Sequence, residues 1–137
     1  MSHFDTKQAF IDQLSTIVNL SDVAFENNNF NPGGKSLWYA AYYLPATTEA
    51  TGKTLLSSDE QRGVFQVSVF CSANSPTYDN DQLQAIDNVL TAFRYNQQLV
   101  YNNQTVSTLD SNVNSGTESE SWFKRDISIN YLTFSTK

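Results

Sequence analysis

The stretch Arg62–Cys71, "RGVFQVSVFC", constrains the fold of this chain more than any other. Phe65, Val67, Val69 and Cys71 alternate with Val64, Gln66, Ser68 and Phe70. Successive side chains of a strand point to opposite faces, so this alternation predicts a strand with one face in a core. β-Branched and aromatic residues also suit a pleated, half-buried surface. A strand this apolar needs partners on both sides, so the chain must build a sheet around it.

A second strand reads from "KSLWYAAYYL", which is aromatic on both faces and is expected to end at Pro45. Alternation sets Leu37, Tyr39, Ala41 and Tyr43 on one side and Trp38, Ala40, Tyr42 and Leu44 on the other. A short strand is predicted at "VAFEN". The Asn-rich "NNNFNPGG" between these two strands reads as a turn, with glycine supplying a positive φ. Residues 45–61 read as a long polar connection, a length uncommon in compact domains and often functional. After "SANSPTYDN", the region from residue 97 onward predicts two or three more strands, the last from Ser121 to Phe134.

Two helices complete the pattern. In "FDTKQAFIDQLSTIVNL", Ala9 or Phe10, Leu14, Ile17 and Val18 recur at helical spacing, with Asp5 and Thr6 as N-cap candidates. In "DNDQLQAIDNVLTAFRYN", Leu83, Ile86, Leu90 and Phe93 form the expected stripe, capped by Asp79 to Asp81. The order predicts one α+β domain over residues 1–137. Its sheet is mostly antiparallel, with about 4–6 strands and two helices packed on one face.

Composition narrows the function. Aromatics make up 13% of the chain, too many for a disordered segment. The net charge of −6 argues against non-specific nucleic-acid binding and against docking on an anionic membrane. No apolar stretch approaches the roughly 20 residues that span a bilayer. No basic, then apolar, leader opens the chain, so it is expected to be soluble and assembled in a cytoplasm.

The chemical motifs fail one by one. "NPGGKS", Asn31–Ser36, resembles the end of a phosphate loop, but Asn29 stands where the Walker A pattern needs glycine. Lys35 and Ser36 also open a strand, whereas a phosphate loop runs into a helix. A catalytic Cys71 would need a histidine, and His3, near the chain's start, is the sole one. One histidine and one cysteine do not make a zinc site. The carboxylates are scattered without a pair suited to glycosidase chemistry. No catalytic residue, cofactor or metal is expected. Exposed rings of "LWYAAYY" suit either sugar stacking or a subunit interface, where Tyr, Trp and Phe are enriched.

The order of these segments is familiar. A first helix precedes "VAFENNNFNP" and a strand closing on "YYLPA". Then come "RGVFQVSVFCSAN", the capped helix "AIDNVLTAF" and the closing "RDISINYLTF". Over nearly the whole chain this resembles the tail-terminator, or tail-completion, proteins of long-tailed siphovirus-type phages, with their "LP … G-x-F-Q-V-x-V" core. The "CSAN" after the central strand departs from the small or proline-rich turn of that pattern.

The resemblance implies a structural assembly protein rather than an enzyme. It would form a homo-oligomeric ring, a hexamer, at the head-proximal end of the tail tube. It would stop tube polymerisation and present a surface to the head–tail connector. Its partners would be itself, the tube protein and the connector, with no sequence-specific DNA contact, although DNA passes through the ring. Its location would be the virion tail, by way of the host cytoplasm. Gly63, Phe65, Val67 and Val69 match the central strand, and Leu44 and Pro45 match the "LP". Arg62 and Arg125, flanking strands in a cation-poor chain, are candidates for inter-subunit pairing. With Lys35, Tyr43 and Phe65 they make up the expected oligomer or tube interface. The connection at 45–61 would reach a neighbour and order on assembly. The alternatives are a carbohydrate-binding or other virion adaptor module and, more remotely, a hydrolase.

Overall fold

The structure is a computed structural model and describes residues 3–26, 30–33, 35–50, 58–72, 80–119 and 121–136. Helix α1 (His3–Leu14) opens the chain, and a 3-10 turn at Leu20–Asp22 leads into β1 (Val23–Phe25). Strands β2 (Leu37–Ala50) and β3 (Ser58–Ser72) precede α2 (Asn80–Ala92). Four strands follow: β4 (Gln98–Tyr101), β5 (Gln104–Val113), β6 (Thr117–Ser119) and β7 (Trp122–Thr136). The architecture is α+β; among the described residues seven strands form one sheet, in the order β1-β2-β3-β7-β5-β4 with β6 beside β7. β6 pairs with the start of β7, so β5 and β6 share one lane beside it. Asn114 bridges the gap in that lane, its N–H donating to Asp126 O at 2.9 Å.

The central strand behaves as its alternation requires. Phe65, Val67 and Val69 are fully buried in one core with Ile127, Ile129 and Tyr131 of β7. Ala9, Phe10 and Leu14 of α1, with Ala85, Ile86, Val89 and Phe93 from the second helical region, complete that core, so both helices cover one face. Four elements, with Phe93 just past the end of α2, meet in a run of aromatic rings. Phe10 stacks on Phe65 with centroids 4.3 Å apart, and Phe65 on Tyr131 at 4.4 Å. Phe93 leans on Phe10, and Tyr43 lies 6.0 Å from Tyr131. Among the described residues no helix is long and apolar enough to cross a membrane.

The α+β class and the mostly antiparallel sheet are as expected, and other expectations are corrected. All pairings are antiparallel except β1 with β2, which is parallel. The two strands are therefore not joined as a hairpin. Between them Lys35 N–H donates to Pro32 O at 3.0 Å, and Asn31 Oδ1 accepts from Gly33 N–H at 2.9 Å. This side-chain turn needs no positive φ at Gly33, and Gly33 has none. Gly34 lies outside the described residues. Pro45 does not end β2, because a bulge between Pro45 and Thr47 absorbs the irregularity and pairing continues to Ala50. Most of the connection expected at 45–61 is thus paired strand, and its residues 51–57 lie outside the described set, as do 73–79 of "SANSPTYDN" and Glu120.

The helices also shift. α1 begins at His3, so Asp5 sits in the first turn and Thr6 is buried, rather than either capping the start. It ends at Leu14, and Ile17 and Val18 pack on the core from the following turn. α2 buries Gln82, Ala85, Ile86, Val89 and Ala92, while Leu83 is 38% exposed. A buried glutamine set the stripe off the expected register. Gln82 Nε2 donates to Val69 O at 2.9 Å and Phe123 O at 3.0 Å, tying α2 to β3 and β7. Such bonds offset part of the cost of burying the amide, whose Oε1 is buried without a partner among the described residues. Asp79 lies outside the described residues.

Candidate assembly surface

The face of the sheet away from the helices is lined from β2, β3 and β7. At one end Trp38 stacks on Phe70 with centroids 3.9 Å apart, with Phe30 at 5.0 Å and Trp122 edge-on at 5.7 Å. These rings mostly cover one another, which removes the flat platform a sugar would stack on. The middle is polar: Ser68 Oγ donates to Asp126 Oδ1 at 2.5 Å, and Lys124 Nζ lies 3.9 Å from the same oxygen. The far end carries exposed apolar side chains, Leu44 at 42% and Phe134 at 53%. Arg62 and Glu60 stand beside them, opposite Leu132 and Phe134 on β7.

The five interface candidates fall in different settings. Arg62 is exposed within β3, and its Nε lies 2.6 Å from Glu60 Oε1. Arg125 is inside β7, with its guanidinium carbon 5.7 Å from the Phe123 ring centre. Both lie within strands, not at their flanks. Lys35 Nζ donates to Asp22 Oδ1 at 2.6 Å, clamping the 3-10 turn against the mouth of β2. A polar cleft lies there, lined by Asn19, Ser36, Leu37 and Tyr39 as well. Phe65 is fully buried between Phe10 and Tyr131 and offers no surface to a partner. Tyr43 is half-buried; its hydroxyl lies 2.6 Å from His3 Nδ1, and its N–H donates to Glu26 Oε1 at 2.8 Å. No single patch gathers the five.

Because Lys35 and Asp22 are only partly buried, their pair contributes roughly 0–1 kcal/mol. Lys35→Ala should therefore lower unfolding free energy by no more than about 1 kcal/mol in urea titrations. Calorimetric titration of the purified protein with ATP should show no heat of binding.

Burial dominates the electrostatics of the phenols. It pushes the Tyr131 hydroxyl well above its ordinary value near 10, helped by its hydrogen bond to Tyr43. Burial also raises Tyr43, against the opposing effect of that bond, and raises Tyr39 beside Asp22. The fold thus favours the neutral phenols. Their contribution is whole below pH 10 and is lost as pH rises above it. Urea midpoints measured from pH 8 to 11 should fall above about pH 10, and less steeply in Tyr131→Phe.

Among the described residues no group of three or more His, Cys, Asp and Glu is arranged to hold a metal. Cys71 is buried. The bulge in β2 went unseen in the sequence, although Pro45 within a strand-like run was a signal for it.

Among the described residues, these features define an α+β domain with both helices on one face of the sheet and no metal-holding cluster. A family model described as "Phage tail terminator protein" matches residues 5–131, and the chain belongs to that family. It is therefore a component of the phage tail, with a role in tail structure and assembly. A solved structure that carries no functional name superposes with a TM-score of 0.73 at 24% identity, covering 97% of this chain and 96% of that one. That likeness concerns the fold alone. No curated protein matches the chain at a significant level.

Proposed function

We propose that this protein caps the head-proximal end of the tail tube as a ring of six copies, stops tube polymerisation and provides the surface that joins the head connector. The observation that carries this reading is the family match, which runs through both helices and into β7. A ring needs heterologous contacts between two different surfaces of each copy. The face away from the helices and the strand edges supply surfaces of different character. In this reading Arg62 is the strongest of the sequence-derived interface residues, because it is exposed beside Leu44, Phe134 and Glu60. Lys35, Tyr43 and Phe65 act by fixing the strands on which the surface is built. A negatively charged chain also suits a passage for DNA, since it does not hold phosphates.

Disruption of the gene tests this. Infected-cell lysates should then contain headless tails of uncontrolled length, and supplying the protein in trans should restore normal tails. Tails of ordinary length joined to heads in its absence would overturn the proposal.

A further inference from the structure

Among the described residues, each edge of the sheet is only half covered. On one side β1 pairs with just Tyr39–Ala41 of β2, although β2 runs on to Ala50. On the other side β4 pairs with Gln104–Ser107, and β5 runs on to Val113. A bulge precedes each open segment, between Pro45 and Thr47 in β2 and between Thr108 and Ser111 in β5. Open strand edges are templates for pairing and are normally blunted or used.

We propose that Thr47–Ala50 of β2 in one copy pairs with Ser111–Val113 of β5 in the next, joining subunits through a shared sheet. This inference rests on the ring reading above. Three observations select a second copy as the occupant. The described residues leave two open edges on the same chain, so each copy supplies both halves of the contact. β2, β3, β7 and β5 alternate in direction, so β2 and β5 run antiparallel. Copies related by rotation alone then meet in antiparallel pairing, as a closed ring requires.

The stagger between the edges is compatible as well. Through the registers, the open part of β2 lies level with residues 132–135 of β7, and that of β5 with residues 127–129. That offset is roughly 18 Å at a strand rise of about 3.3 Å. The four-strand repeat is roughly 19 Å wide at about 4.8 Å per strand. Rotation alone brings the two edges level when the strands incline by about 45° to the ring axis, close to the tilt of closed barrels. The bulges bend each strand just before its open segment, which favours closure over a flat, unlimited sheet.

Paired cysteine substitutions test the contact without disturbing the core. One cysteine replaces Thr47, Thr48 or Glu49, and the other replaces Ser111, Asn112 or Val113 of the same chain. Oxidation of the purified chain, alone and on tubes of its own phage's tail tube protein, should convert at least one such variant into a ladder of covalent multimers ending at a discrete size. Variants with one added cysteine, which also keep the buried Cys71, should give no ladder beyond dimer. Rings seen by native mass spectrometry without a ladder from any pair would overturn the edge pairing and leave the capping reading standing. Cross-links to the tube protein in place of a ladder would also overturn it. Wild-type protein that ignores tube ends would count against capping, while the ladder still decides the edge contact.

Discussion

Replacing Gly63 with alanine should destabilise the protein by about 3 kcal/mol and lower its Tm by roughly 10 °C, measured by calorimetry. A β-carbon at this position would lie 2.6 Å from the carbonyl oxygen of Leu44 and 2.7 Å from both Cε2 and Oη of Tyr131. Neither neighbour can withdraw cheaply. The first is backbone, held where Pro45 pairs with Gly63 beside the β2 bulge. The second is a ring opposite Gly63 on β7, buried and stacked between Phe65 and Tyr43. Tyr131 thus fills the space that the glycine leaves, as aromatic residues do across a sheet from glycine. Combining Gly63→Ala with Tyr131→Ala should cost less than the sum of the two, because they share this contact.

Phe65→Ala should cost about 3–5 kcal/mol, the range for truncating a fully buried phenylalanine. It would remove the middle of the run Phe10–Phe65–Tyr131 and separate α1 from the sheet at its best-packed point. The loss should appear as a lower urea midpoint of the isolated chain, whether or not partners are present. Phe65→Leu should recover much of it, since the side chain remains large and apolar. A Phe65→Ala protein with wild-type stability that failed only in assembly would instead make Phe65 a contact residue.

The sheet was legible because its signals are local. Phe65, Val67 and Val69 alternate with more polar residues, and a period of two has one structural meaning when β-branched and aromatic residues carry it. The two helices and their common face followed from the same reasoning. What could not be read depends on distant partners. The parallel pairing of Val23–Phe25 with Tyr39–Ala41 leaves no mark in either segment. Gln82 reads as a surface residue until Val69 O and Phe123 O lie within reach of its amide. Residues 45–50 and 58–61 look like loop because they are polar, yet they extend a hairpin whose backbone bonds ask little of side chains.

The assembly surface was legible only in kind. Lys35 and Arg62 stood out as cations in a chain with few, but Lys35 is engaged by Asp22 of the 3-10 turn. Phe65 stood out as aromatic, and that same property buries it. Leu44 and Phe134, the exposed apolar pair, gave no signal because exposure is decided by which face the helices cover.

The most direct measurement is electron microscopy of tubes polymerised from the phage's own tail tube protein, with and without this chain. The account predicts that the chain sits as a single ring at one end of each tube and that growth halts there. Tubes that lengthen without limit while the chain stays in solution, or binds along their sides, would contradict it.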